Sequence, residues 1–311
     1  MRIVLQVCFF LNRFLSFAYY GSDRRFMGGV FIKKYTFIGG DARMRYLAES
    51  CRTDGIAVTE FGTEEKTEET LAQALDGASI VWLGVPAVSE AGTVSAPYAS
   101  VCVSAESLLE KLPPKRMVVG GMFPKEFVQK AKEKDIFLVD YAKREDFAAE
   151  NALLTAEAVI SLLVSHTKYS LRDAKICLWG YGRISTALLP MLTALGAQTV
   201  VASGSFSKHP WIRAAGGQPM SYAESVYVLE DFDVVINTAP TLSFDRETLF
   251  HLKKTCLLID LASRPGGVDF AAAKDVGIRT IWATGLPGKT APQSAARVIR
   301  KSVENAIREQ G

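Results

Sequence analysis

From position 35 onward, short apolar runs alternate with longer stretches in which apolar residues recur every three or four positions. The short runs predict strands over 35–38, 56–60, 79–85, 116–120 and 136–140, and a second series over 175–178, 199–202, 234–237, 256–260 and 279–282. Between them the helical spacing predicts helices ending near Arg52 and over 68–75, 105–110 and 125–134, and residues 86–99 read as a loop rich in Gly, Ser and Pro. Strands alternating with helices imply parallel sheets covered on both faces. The expected fold is therefore α/β, with two Rossmann-like domains, a long connecting helix and a returning C-terminal helix. The expected boundaries are 1–34 for an N-terminal appendage, 35–146 for a first Rossmann-like domain serving the substrate, 147–170 for the connecting helix, 171–288 for a dinucleotide-binding domain, and 289–311 for the helix packing back on the first domain.

One stretch organises the second domain: Lys175-Ile-Cys-Leu-Trp-Gly180-Tyr181-Gly182-Arg183-Ile184-Ser185. A buried strand would end at Gly180, and an apolar helix would follow over 184–195, closed by Gly196. In the G-x-G-x-x-G fingerprint the first glycine permits the sharp turn and the second lets a pyrophosphate approach the helix N-terminus. Here Ser185 stands at the third position, small enough for close packing of helix on strand. The strand–turn–helix–strand setting is what raises an incomplete triad to an expectation of dinucleotide binding; the bland alternative is an ordinary βα turn.

NAD-binding domains usually carry an acid after the next strand, for the ribose 2′-hydroxyl. This chain has Ala202-Ser203-Gly204-Ser205-Phe206-Ser207-Lys208-His209 there, with hydroxyls and a lysine but no acid. That composition suits a 2′-phosphate and favours NADP(H). The following strands end in Asn237-Thr238-Ala-Pro240 and Asp260-Leu-Ala-Ser-Arg264-Pro-Gly-Gly267. In open α/β sheets ligands sit at the carboxyl ends of strands, so Asn237, Thr238 and Asp260 are expected to border the cofactor. Arg264 is placed to take a substrate carboxylate, or to fix its loop through a salt bridge. Lys289, in Gly285-Leu-Pro-Gly288-Lys289, is a further anion candidate. In the first domain Gly39-Gly-Asp-Ala-Arg43 is a glycine turn without G-x-G-x-x-G, with Arg43 either contacting an anion or sealing a domain interface.

Composition narrows this picture. A length of 311 residues suits two domains, and 49% hydrophobic with 22% charged residues is ordinary for a water-soluble α/β chain. A net charge of +3 without a basic run argues against nucleic acid. The five cysteines are scattered without a C-x-x-C pair, which argues for a reducing compartment and against a metal site. Residues 4–20 are apolar but broken by Asn12 and Arg13, too short and too polar at the centre to span a bilayer. The region 1–34 reads as an appendage, with Met27 as an alternative start. Only three histidines occur, His166, His209 and His251, and none falls where a general acid–base beside a nicotinamide would stand. A histidine-driven alanine or 2-hydroxyacid dehydrogenase is therefore disfavoured, though it stays an alternative.

Taken in order, Gly39-Gly-Asp-Ala-Arg43, Gly180-Tyr-Gly182-Arg183, Asn237-Thr238-x-Pro240, the run Asp260 to Asp269-Phe270 and Gly285-Leu-Pro-Gly288 resemble the A-subunit family of dipicolinate synthase from spore-forming bacteria. The Leu-Pro-Gly loop is also similar, more distantly, to that of alanine dehydrogenases. The resemblance implies a cytoplasmic, NADP-dependent oxidoreductase, active in the mother cell of a sporulating bacterium. It implies hydroxy-tetrahydrodipicolinate, a lysine-branch dicarboxylate, as substrate and pyridine-2,6-dicarboxylate as product. It further implies a flavoprotein-like partner, the B-subunit of the same synthase, and leaves self-association into a homo-oligomer open. Under it Gly180, Gly182 and Arg183 would meet the pyrophosphate, Tyr181 and Ile184 would also line the cofactor, Ser203, Ser205 and Lys208 would meet the 2′-phosphate, and Arg43 and Arg264 the substrate carboxylates. A non-catalytic, NADP-binding regulatory subunit is the alternative of a different class.

Overall fold

The computed structural model describes residues 34–64, 70–100 and 102–310. The expectations for residues 1–33, an appendage or a start at Met27, lie outside the described residues. The chain forms two compact units. One closes at Ala148 and takes back the chain from Pro292; the other runs Ala149–Ala291.

In the first unit, β1 (Lys34–Ile38), β2 (Ala57–Phe61), β3 (Ile80–Leu83), β4 (Met117–Gly120) and β5 (Phe137–Asp140) form a parallel sheet of order β2-β1-β3-β4-β5. Both faces are buried, which is why these strands read as continuous apolar runs rather than alternating ones. Ile38, Leu83 and Val118 point to a core with Leu108, Leu109 and Phe127. Their neighbours Phe37, Trp82 and Val119 point the other way, to Met44, Leu47, Ile299 and Val303. The last two belong to the helix Pro292–Gln310, so the C-terminal segment completes one face of the first sheet.

That helix is also held by charge. Arg300 donates to Ser50 Oγ at 2.7 Å and pairs with Asp54. Asp146 accepts from Ser302 Oγ at 2.7 Å, Asn305 Nδ2 at 3.0 Å and Arg144 Nη2 at 3.0 Å. Partial burial pushes the Asp146 carboxyl up, but the hydrogen bonds from Arg144, Asn305 and Ser302 outweigh it and hold the group well below the ordinary carboxylate range. A carboxyl depressed on folding contributes stability that is present above its unfolded pKa and is lost as pH falls through the folded one. Acid unfolding below about pH 4 should therefore be shallower in Asp146→Asn than in the parent chain. Identical acid profiles would show that the cluster contributes nothing.

In the second unit, β6 (Lys175–Trp179), β7 (Gln198–Ala202), β8 (Gln218–Met220), β9 (Val234–Asn237), β10 (Leu257–Asp260) and β11 (Arg279–Trp282) make a parallel sheet of order β11-β10-β9-β6-β7-β8. The chain lays β6, β7 and β8 outward in one direction, then returns to place β9 on the other side of β6. The topological switch thus falls between β6 and β9, where a crevice opens at the carboxyl edge. The edge strand β8 escapes the sequence pattern because it has only three residues and carries Pro219, tolerable only at an edge or strand end.

The 22-residue helix Glu145–His166 begins in the first unit and ends in the second. By length and composition it would pass for a membrane span. In the fold its Ala156, Val159 and Leu163 are buried in the core of the second unit, beside Ile176, Leu188 and Leu192. Burial of Val159 and Leu163 stabilises by about 1.5–3 kcal/mol each.

Candidate functional site

The turn after β6 is built for a close approach. Gly180 has φ +99°, and a Cβ there would lie 2.7 Å from Thr238 Oγ1, so glycine is required twice over. Thr238 follows β9 and is fixed by its N–H and hydroxyl, which both donate to Trp179 O, at 2.8 and 3.1 Å. Its hydroxyl is also 3.0 Å from Ser185 Oγ, and Ser185 is fully buried. The third fingerprint position is therefore small because the helix Arg183–Ala194 packs directly against the switch point.

Gly182 differs from Gly180. Its backbone is extended, and a Cβ there would meet nothing within 4 Å. It is the N-cap of that helix and supplies no side-chain acceptor, whereas Asp41, Thr70, Ser104, Ser221, Asp245 and Asp269 cap their helices by hydrogen bonds. A twelve-residue helix thus starts at the switch point without a side-chain cap, with the helix dipole behind that end. This is the geometry in which a pyrophosphate is held.

The loop after β7 lies beside the turn. Ser203 is buried and accepts from Ser205 N–H at 3.3 Å, and Ser205 Oγ is 2.8 Å from Ser207 Oγ. The Lys208 ammonium donates to Tyr181 O at 2.8 Å, so the expected 2′-phosphate ligand instead braces the glycine turn from outside. His209 packs edge-on against Phe206, and its Nε2 is buried without a hydrogen-bond partner among the described residues.

Two expected cofactor contacts have other work. Asn237 is fully buried; its Nδ2 donates to Asp260 Oδ1 at 2.8 Å and to Ala239 O at 3.0 Å, while its Oδ1 accepts from Ala239 N–H. Asp260 also accepts from Ala262 N–H at 3.0 Å and Gly267 N–H at 2.8 Å. The pair ties together the loops after β9 and β10, leaving neither polar group free for a ligand.

Beyond this knot, Arg264 is exposed, and its guanidinium lies 5.5 Å over the Trp282 ring. Trp282 stacks on Phe270 at 5.2 Å and donates Nε1–H to Ala262 O at 3.0 Å. No acid pairs with Arg264 among the described residues, so the salt-bridge alternative is not what holds it. Trp282 was not singled out from sequence; an aromatic closing a strand at the carboxyl edge is the signal that could have marked it. Lys289 donates to Thr284 O at 2.9 Å and reads as a loop brace.

In the first unit the corresponding crevice is closed. Gly40 N–H donates to Ser95 O at 2.6 Å, and a Cβ on Gly84 would lie 2.9 Å from Gly40 Cα. Arg43 is buried, donates to both Asp41 oxygens and reaches Val85 O at 3.2 Å. Desolvation, the largest single influence on its pKa, lowers it, but the hydrogen bond and charge of Asp41 together raise it overall. Arg43 is thus an internal brace rather than an open carboxylate contact. The histidines stand apart as well: His166 meets Arg279, at the opposite end of the sheet from the glycine turn, and His251 is exposed.

Residues 34–142 match the family model for the N-terminal domain of the dipicolinate synthase A-subunit. Over most of its length the chain is similar to that protein. The A-subunit of dipicolinate synthase from Bacillus subtilis (strain 168) is 28% identical over 291 residues, spanning 89% of this chain and 96% of its own. The crystal structure of its counterpart from Bacillus halodurans superposes with a TM-score of 0.77 at 27% identity, covering 88% of this chain and 97% of that one. A transhydrogenase from Sinorhizobium meliloti shares the fold at TM-score 0.65 and 14% identity, over 89% of this chain and 94% of its own.

Proposed function

We propose that this chain is an NADP-dependent oxidoreductase component that forms pyridine-2,6-dicarboxylate from hydroxy-tetrahydrodipicolinate, as its relatives' name suggests. The observation that carries the reading is the uncapped Gly180–Gly182 turn, open over Gly182 at the β6/β9 switch point. Residues present there fit a nicotinamide dinucleotide: the helix N-terminus that follows Gly182 for the pyrophosphate, and Ser203, Ser205 and Ser207 without an acid for a 2′-phosphate. When bound, such a cofactor supplies a hydride acceptor. Loss of water from the substrate gives a dihydropyridine dicarboxylate, and removal of one hydride and one proton aromatises the ring.

Arg264, exposed and with its guanidinium over the Trp282 ring, holds one substrate carboxylate. With aromatisation as driving force, positioning and charge complementarity take the place of a histidine base. The chain is proposed to work with a flavoprotein-like partner.

The test is dipicolinate formation followed by ultraviolet absorbance, with NADP⁺, NAD⁺ or no nucleotide, and with or without the partner. Product matched by NADPH supports the reading. Product without nicotinamide reduction would leave this chain a non-catalytic binding component. Arg264→Ala should raise KM for the dicarboxylate at least tenfold while leaving NADPH affinity within about twofold, a loss of the size of one charge-assisted contact. Unchanged KM would remove Arg264 from the site.

A further inference from the structure

An arginine on an exposed turn can take many rotamers, and gripping a ligand removes that freedom at the expense of affinity. Arg264 is exposed and stands in the loop after β10, yet it is not loose. Its guanidinium lies 5.5 Å over the Trp282 ring, within the range at which an aromatic face attracts a cation. No acid holds it among the described residues. Arg43 is the contrasting case, because the Asp41 carboxylate that holds it at 2.7 Å also neutralises it. A ring restrains a guanidinium without cancelling its charge.

The ring is itself fixed. Trp282 closes the edge strand β11, and Phe270 stacks on it at 5.2 Å with 29° between the planes. Its Nε1–H donates to Ala262 O at 3.0 Å, so the same side chain ties down the backbone of the loop that carries Arg264. Gly266 of that loop packs against it as well: a Cβ there would lie 3.6 Å from Trp282 Cε2. One tryptophan thus bonds the start of the loop, packs on its turn and stacks on its arginine. The ring stays 36% exposed and belongs to neither core of the second unit, so its contacts serve this loop.

We infer that Trp282 is a positioning residue for dicarboxylate binding. It orders Arg264 before the ligand arrives, and the arginine meets the carboxylate with its charge intact and little further freedom to lose. The inference rests on the proposed carboxylate role of Arg264 and names the residue through which that role is set.

The experiment is a double-mutant cycle on the full chain. It is read by calorimetric titration with pyridine-2,6-dicarboxylate and by KM and kcat for the substrate. Trp282→Leu should weaken dicarboxylate binding and raise KM by roughly fivefold, the scale of one exposed cation–π contact, with kcat and NADPH affinity within about twofold. Trp282→Phe, which keeps an aromatic face, should bind within about twofold of the parent. In an Arg264→Ala background Trp282→Leu should change binding by less than about 1.5-fold, because its effect passes through the arginine. Trp282→Met replaces the leucine variant in the cycle if thermal melting shows the latter unfolded. An equal loss in both backgrounds, or a parallel loss of NADPH affinity, would make Trp282 a structural residue only. Unchanged binding in Trp282→Leu, with Arg264→Ala weakened, would overturn the inference and leave the Arg264 reading standing. Unchanged binding in Arg264→Ala would end the carboxylate reading and the inference with it.

Discussion

Alanine at Gly182 should leave the protein folded and its nucleotide site blocked. The backbone there is extended and a Cβ meets nothing, so the native chain accommodates the methyl without strain. Restricting the unfolded chain should even raise stability by about 0.4–1 kcal/mol. The methyl would project into the space in front of the helix N-terminus that the pyrophosphate needs, and NADPH affinity should fall at least a hundredfold. Alanine at Gly180 should behave oppositely. Its positive φ costs about 1–2 kcal/mol for a residue with a Cβ, before the clash with Thr238 is counted. The fold itself should weaken there, and binding loss would follow from it. Thermal melting alongside fluorescence titration with NADPH and NADH separates the two. A Gly182→Ala protein that still binds NADPH like the parent would end the dinucleotide reading of this turn.

Asp260→Ala should strongly destabilise the second unit. The carboxylate is 1% exposed and receives hydrogen bonds from Asn237 Nδ2 and from the N–H groups of Ala262 and Gly267. Removing it leaves three buried donors unanswered and frees the loop that carries Arg264. Stranding buried donors costs about 1–3 kcal/mol each, less where the loop relaxes toward water, so a total loss of roughly 3–5 kcal/mol is expected in urea unfolding. Asp260→Asn, which keeps the shape and one acceptor oxygen, should lose less. A mild effect of the alanine variant would mean that the loops after β9 and β10 are held by their backbones alone.

The strands were legible because a parallel sheet covered on both faces needs uninterrupted apolar runs, and lines such as Ile176-Cys-Leu-Trp179 carry that requirement locally. The glycine turn was legible for a related reason: backbone conformation and steric approach at Gly180 leave no other residue type. β8 was missed because an edge strand has too few residues to show a period. Long-range pairing was invisible to spacing. Asn237 and Asp260 read as ligand contacts because polar residues at strand ends usually are; only the adjacency of β9 and β10 turned them toward each other. Trp282 acquired a role only when its ring came beneath Arg264, 18 positions earlier in the chain.

By itself, the sequence determined the α/β class, the two series of strands, the turn suited to a dinucleotide and the absence of an acid after β7, since each is set by residues close together in the chain. Tertiary structure decided which charges are free. Arg43 and Lys208 are spent on Asp41 and Tyr181 O, while Arg45 and Arg264 rest on aromatic faces without an acid among the described residues. The reason is physical: a charged side chain has the same chemistry wherever it stands, but whether it reaches a ligand depends on what folding has already brought within hydrogen-bond distance of it.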